Sequence, residues 1–171
     1  MNIYLIGFMG SGKSHAGKRI ATLLHWKFID TDRLIEKKEG MTVTEIFASR
    51  GEEYFRSMEA EILREVAAKN RTVIACGGGT PCYNENLALM KSTGVTVWLK
   101  ISPESLASRL MLSRTDRPLL HDAGPSELRS RIAQMLDARS HWYEQADLII
   151  NAEAVDEEEM AALIAEKIRT G

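Results

Sequence analysis

Directly after an apolar run, Ile3-Tyr4-Leu5-Ile6, the chain reads Gly7-Phe8-Met9-Gly10-Ser11-Gly12-Lys13-Ser14 and then enters a helical pattern. A strand that feeds a helix through a glycine-rich turn ending in Lys-Ser is the pattern of a phosphate-binding loop. Glycines let backbone N–H groups gather around phosphate oxygens without a Cβ in the way, and the helix turns its positive dipole end to the same anion. Lys13 is placed to reach the outer phosphates of a nucleotide, and the Ser14 hydroxyl to ligate Mg2+. Gly10, Ser11, Gly12 and His15 belong to the same nucleotide-binding stretch. An ordinary glycine-rich turn does not require all the fixed positions together with both flanking elements.

The 171 residues fit one domain, 1–171, large enough for a real core. Hydrophobic residues at 44% and charged residues at 27% are ordinary globular usage, which excludes a disordered or fibrous chain. A net charge of −2 offers no basic field for nucleic acid or anionic membrane, so a cationic site must be local. No apolar run is long enough to span a bilayer, and the N-terminus lacks a basic region followed by an apolar run and cleavage site. A cytoplasmic location is expected. Cys76 and Cys82 are too few for a disulfide framework, and His15, His25, His121 and His141 lack metal-ligand spacing.

Strand and helix patterns alternate along the chain. Ala16, Ile20, Leu23 and Leu24 mark the first helix, Lys27 to Asp30 a short strand, and Leu34 with Ile35 a helix stopped by Gly40. Thr42 with Glu45 predicts a capping box opening a helix over Val43 to Arg50, closed by Gly51. A longer helix is expected from about Glu52 to Lys69. Strands follow at Thr72 to Cys76, Val95 to Leu99 and Leu148 to Ile150, with helices at about Asn84 to Lys91, from Pro103 through Leu110, through Leu128 to Tyr143, and through Met160 to Ile168. Residues 111–125, rich in charge, glycine and proline, read as a lid. Such alternation is α/β: a parallel sheet with helices on both faces and ligands beyond the carboxyl ends of the strands.

Three further features carry chemistry. Asp30 and Asp32 sit at a strand end, where one holds metal-bound water and the other orients or deprotonates a hydroxyl, unless Asp32 merely caps the next helix. Glu59 falls on the apolar stripe of Phe55, Ile62 and Val66, with Arg56 three residues earlier. The two either pair as a buried ion pair or face a ligand. Arg139 stands on the stripe of Ile132, Leu136 and Tyr143. Together with Arg56 it suits the grip of a small carboxylate, or each meets an internal acid. Gly77-Gly78-Gly79 permits close backbone approach to a substrate, and Arg117 in the lid is a candidate to swing over a transferring phosphoryl group.

The ordered set resembles the shikimate kinase family along nearly the whole chain: Gly-Phe-Met-Gly-Ser-Gly-Lys-Ser at 7 to 14, Phe-Ile-Asp-Thr-Asp at 28 to 32, Gly-Glu-Glu-Tyr-Phe-Arg-Ser-Met-Glu at 51 to 59, the glycines at 77 to 79, Arg-Pro-Leu-Leu at 117 to 120, and Arg139 with Tyr143. The resemblance implies a P-loop kinase fold of three layers, with a five-stranded parallel sheet and a mobile lid. It implies transfer of the γ-phosphate of ATP to the 3-hydroxyl of shikimate, a step toward chorismate and the aromatic amino acids. By motif match, Lys13 and Arg117 stabilise the phosphoryl group, while Ser14 and, through water, Asp30 hold Mg2+. Asp32 contacts the acceptor hydroxyl, Arg56 and Arg139 bind the carboxylate, the glycines supply backbone contacts and Glu59 orients the substrate shell. A monomer acting on small molecules is expected. The chain departs from the family where adenine is held: Arg109 is an approximate match to the lid-side arginine, and Asn151 to Val155 contains no proline.

Two other readings share the loop. A gluconate kinase has the fold without needing two inward arginines for a carboxylate. A nucleotide-dependent switch is the other, although no Asn-Lys-x-Asp segment for reading guanine occurs.

Overall fold

The apolar runs pair into a single parallel sheet, with strands side by side in the order Lys27–Asp30, Thr72–Ala75, Asn2–Ile6, Gly94–Lys100 and Leu148–Asn151. The computed structural model describes residues 1–112 and 125–170. In chain order these form β1 (Asn2–Ile6), α1 (Lys13–Leu23), β2 (Lys27–Asp30), α2 (Thr31–Glu39), α3 (Val43–Ala67), β3 (Thr72–Ala75), α4 (Asn86–Thr93), β4 (Gly94–Lys100), α5 (Pro103–Leu112), α6 (Pro125–Tyr143), β5 (Leu148–Asn151) and α7 (Glu157–Thr170). The expected five-stranded α/β architecture is present. Of the expected lid, 111 and 112 end α5 and 125 opens α6, while 113–124, with Arg117, lie outside the described residues.

Alternation along β1 separates two cores. Ile3 and Leu5 pack with Ala16 and Ile20 of α1 and with Met160 and Ile164 of α7. Tyr4 and Ile6 face the other way, into a larger cluster with Ile62, Leu63 and Val66 of α3, Met90 of α4 and Tyr143 of α6. Helix α1 approaches the sheet closely because residue 17 is glycine; a Cβ there would stand 2.6 Å from the Phe28 ring and 3.0 Å from Leu5. No helix among the described residues is long and apolar enough to cross a membrane.

The capping box forms as expected: Thr42 accepts from the Glu45 N–H, and Glu45 accepts from the Thr42 N–H at 2.6 Å. Gly51, at φ 83° and ψ 171°, breaks the helical path, so α3 is two segments meeting at an angle. One alternative is closed and one boundary differs from expectation. Helix α2 begins at Thr31, and its cap is Asp30, which accepts from the Arg33 N–H; Asp32 is therefore in the first turn and is not the cap. Helix α4 begins at Asn86 rather than Asn84, because Asn84 and Glu85 take left-handed backbone, φ 51° and 54°, after an unexpected 3-10 turn at Thr80–Cys82.

The edge of the sheet is tied by Asp147, whose carboxylate accepts from the Thr96 N–H at 2.9 Å and the Thr96 hydroxyl at 2.7 Å, with Lys91 3.4 Å away. Burial alone pushes this carboxyl up, but the Thr96 hydrogen bonds and Lys91 outweigh it and hold the group below its ordinary value. Its contribution to stability is complete above the unfolded carboxylate value, about pH 4, and is lost as pH falls through the depressed folded value. Asp147→Asn is expected to cost about 1 to 2 kcal/mol at pH 7. That corresponds to roughly 2 to 8 °C in Tm, by calorimetry, with the gap to wild type narrowing below about pH 4.

Candidate active site

The loop after β1, Asp30 to Asp32 and Gly77 to Gly79 each sit at or beyond the carboxyl end of a strand. The loop after β1 takes left-handed backbone at Gly10 and Gly12, φ 82° and 90°, which turns it around a hollow at the start of α1. Lys13 is buried across this loop and donates to the Gly7 and Phe8 carbonyls, both at 2.8 Å. The Ser14 hydroxyl donates to Asp30 Oδ2 at 2.5 Å, which joins the end of β2 to the loop. Arg109 reaches in from α5, with Nη1 3.7 Å from where a Cβ on Gly12 would stand. His15 is exposed and lies 3.6 Å from Glu157 of α7. A cavity of about 750 Å³ is lined by this loop, Ser14, His15, Asp30, Asp32, Cys76 and the first two glycines of the triple.

A second cavity, about 470 Å³, lies beside it. Its apolar wall is Val43, Phe47 and Phe55; its polar residues are Asp32, Arg56, Glu59 and Arg139, with Gly77, Gly78 and Gly79 on one side. Met9, Asp32, Gly77 and Gly78 line both cavities, so the carboxylate of Asp32 stands where a group bound in one meets a group bound in the other. Glycine is required here for room rather than for backbone angle. A Cβ on Gly77 would be 2.6 Å from Glu59 and 2.9 Å from Asp32, and one on Gly79 would be 2.6 Å from Arg56 Nη1.

The buried pairing of Arg56 with Glu59 is realised: Nη1 donates to Glu59 Oε2 at 2.6 Å. Glu59 is also engaged by the Thr80 hydroxyl, which donates to Oε1 at 2.6 Å, and the carboxylate is 1% exposed. Glu52 accepts from Nε and Nη2 of Arg56 at 3.1 and 2.8 Å, and the Tyr83 ring lies 4.4 Å from the guanidinium. Burial lowers the basicity of Arg56, but Glu59 and Glu52 outweigh it and raise the group above its ordinary value. A guanidinium has five N–H groups, so these three bonds leave one on Nη1 and one on Nη2, the fork that grips a carboxylate. Glu59 thus orients Arg56 rather than facing the cavity alone.

Arg139 is 9% exposed and stacks 5.5 Å over the Phe8 ring. Its Nη1 is buried without a hydrogen-bond partner among the described residues, and it lies 3.4 Å from where a Cβ on Gly78 would stand. A buried donor left without a partner costs about 1 to 3 kcal/mol, more when charged, so the site is built for an acceptor that arrives with a ligand. Glu52, Thr80 and Tyr83 are contacts that the sequence did not single out, and Tyr143 was expected only as part of the α6 stripe and the family motif. Only Glu52, four residues before Arg56, carried a local signal.

Both thiols are neutral near pH 7, since burial pushes Cys82 up to about 11 and Cys76 further. Among the described residues no three His, Cys, Asp or Glu side chains gather as a metal site. The oxygen pair of Ser14 and Asp30 suits a hard ion that keeps most of its waters and takes phosphate oxygens, as Mg2+ does.

Residues 9–169 match the family described as "Shikimate kinase". A shikimate kinase of Parabacteroides distasonis is 43% identical over 151 residues, 88% of this chain and 87% of the relative. One from Bacteroides thetaiotaomicron is 41% identical over 157 residues, 92% of this chain and 90% of the relative. Among solved structures, the Bacteroides thetaiotaomicron shikimate kinase superposes with a TM-score of 0.91 at 39% identity, covering 99% of this chain and 98% of that one. The Acinetobacter baumannii shikimate kinase in complex with shikimate gives 0.89 at 32%, covering 99% and 93%. A gluconokinase from Sinorhizobium meliloti shares only the fold, with a TM-score of 0.57 at 22% identity. A phosphate-binding loop beside a cavity framed by two buried arginines, matched over this length, has one reading: the chain belongs to the shikimate kinase family.

Proposed function

We propose that this chain transfers the γ-phosphate of ATP to the 3-hydroxyl of shikimate, acting as a monomer. The observation that carries the reading is the buried Arg139 Nη1, without a partner among the described residues and lining the same cavity as Arg56. Two inward guanidiniums match one carboxylate, and the apolar wall of Val43, Phe47 and Phe55 suits the carbon face of a small ring.

In this reading shikimate lies in the smaller cavity with its carboxylate between Arg56 and Arg139, and its hydroxyl reaches Asp32. ATP lies along the loop, with its phosphates over the N-terminus of α1. Asp32 orients the hydroxyl and accepts its proton as the oxygen bonds to the γ-phosphorus and the bond to the β-phosphate oxygen breaks, releasing ADP. Lys13 turns its N–H groups from the loop carbonyls to phosphate oxygens, and Arg109 lies beside the nucleotide. Arg117 is assigned to the phosphoryl group from its motif alone. Ser14 and, through water, Asp30 would hold Mg2+, which supplies neutralisation of phosphate charge.

Release of ADP with Mg2+ present tests the assignment. Shikimate is expected to accelerate it strongly, while gluconate and nucleoside monophosphates leave it near the rate without acceptor. Acceleration by gluconate alone would move the chain to a sugar-acid kinase, and a slow rate indifferent to all three would make it a nucleotide switch.

A further inference from the structure

Tyr143, the last residue of α6, is fully buried, packs on Trp98 with ring centroids 5.5 Å apart, and donates its hydroxyl to the Gly78 carbonyl at 2.5 Å. Burial raises its pKa, so the proton stays on the phenol and the tyrosine can only donate to that carbonyl. Gly78 lies at the boundary of the two cavities, where a Cβ would be 3.2 Å from the Met9 nitrogen and 3.4 Å from Arg139 Nη1. In a trans peptide the carbonyl and the following N–H point in opposite directions across one plane. A Gly78 carbonyl turned into the core toward Tyr143 therefore sets the direction of the Gly79 N–H.

We propose that Tyr143 is a positioning residue for the acceptor: by holding the Gly78 carbonyl in the core, it turns the Gly79 N–H toward the cavity framed by Arg56 and Arg139, where it donates to an oxygen of the bound hydroxy acid. The inference rests on the acceptor assignment given above. It explains why a tyrosine and not a phenylalanine ends the apolar stripe of α6. The ring belongs to the core, whereas the hydroxyl reaches 65 residues back along the chain to the Gly78 carbonyl. Gly78 and Gly79 are the central residues of a turn closed by the Thr80 N–H, which donates to the Gly77 carbonyl at 3.1 Å; glycines there let the central peptide plane take either orientation, and the Tyr143 hydrogen bond selects one.

Tyr143→Phe keeps the ring and its packing and removes only the hydroxyl. The KM for shikimate is expected to rise about five- to tenfold, as for one hydrogen bond of about 1 kcal/mol or slightly more, with the KM for ATP unchanged. A purely structural role would lower Tm while leaving the shikimate KM alone at temperatures well below the melt, and that result overturns the proposal. In glycine-15N-labelled wild type, the Gly79 amide resonance is expected to move on addition of shikimate, and to move less in the variant. A Gly79 resonance that stays put while shikimate binds wild type overturns it as well, even if the variant does not fold. Wild type that neither binds nor phosphorylates shikimate removes the acceptor assignment and this inference together, a result distinct from normal binding with a silent Gly79.

Discussion

Asparagine in place of Asp32 is expected to lower turnover by about 10²- to 10⁴-fold, the range for a positioned general base. The replacement keeps the shape of the side chain at the point where the two cavities meet, but an amide does not take up the proton of an acceptor hydroxyl. Because Asp30 rather than Asp32 caps α2, the variant should unfold at nearly the wild-type temperature, and its KM for ATP should change little. Single-turnover ADP formation alongside a thermal melt separates these effects. Turnover within a few-fold of wild type would reduce Asp32 to a first-turn acid that serves only the helix dipole.

Truncation of Arg139 to alanine acts on the other half of the site. Losing one member of a buried charge pair costs about 2 to 5 kcal/mol, so the KM for shikimate should rise at least tenfold while the KM for ATP holds. The unliganded protein should melt no lower than wild type, because the variant removes a buried guanidinium that has a nitrogen without a partner among the described residues. Arg139→Lys should restore little, since an ammonium does not reproduce the planar fork. An unchanged KM in the alanine variant would rule out the carboxylate grip.

The parts of this molecule that were legible in the sequence are those governed by nearest neighbours. The alternation of Ile3, Tyr4, Leu5 and Ile6, the Thr42 and Glu45 cap and the break at Gly51 follow from local periodicity and backbone limits. Glu59 and Arg139 were visible as charges on apolar stripes. What they touch was not, because the Glu59 carboxylate is completed by Thr80 from 21 residues away and Gly78 by Tyr143 from 65. The cap of α2 stayed open between two residues for a related reason: Asp30 and Asp32 are chemically equivalent in the sequence, and only the extended backbone of Asp30, φ −112°, selects it. The start of α4 slipped because two non-glycine residues, Asn84 and Glu85, adopt left-handed angles that residue type alone does not predict.

The joint at Gly51 divides the helix that lines the smaller cavity into two parts. Val43 and Phe47 stand on the segment before it, Arg56 and Glu59 on the segment after it. Arg50 and Tyr54 straddle the joint and share Glu39 of α2: Arg50 donates to its Oε2 at 2.5 Å, and the Tyr54 hydroxyl to both oxygens at 3.1 Å. The angle between the segments is thereby fixed from outside the pocket. Phe47 nevertheless touches the second segment, with its ring 4.8 Å from that of Phe55 and 6.0 Å from the Arg56 guanidinium, so a change of size at 47 shifts the arginine along with the apolar wall, and the wall and the cation are coupled rather than independent.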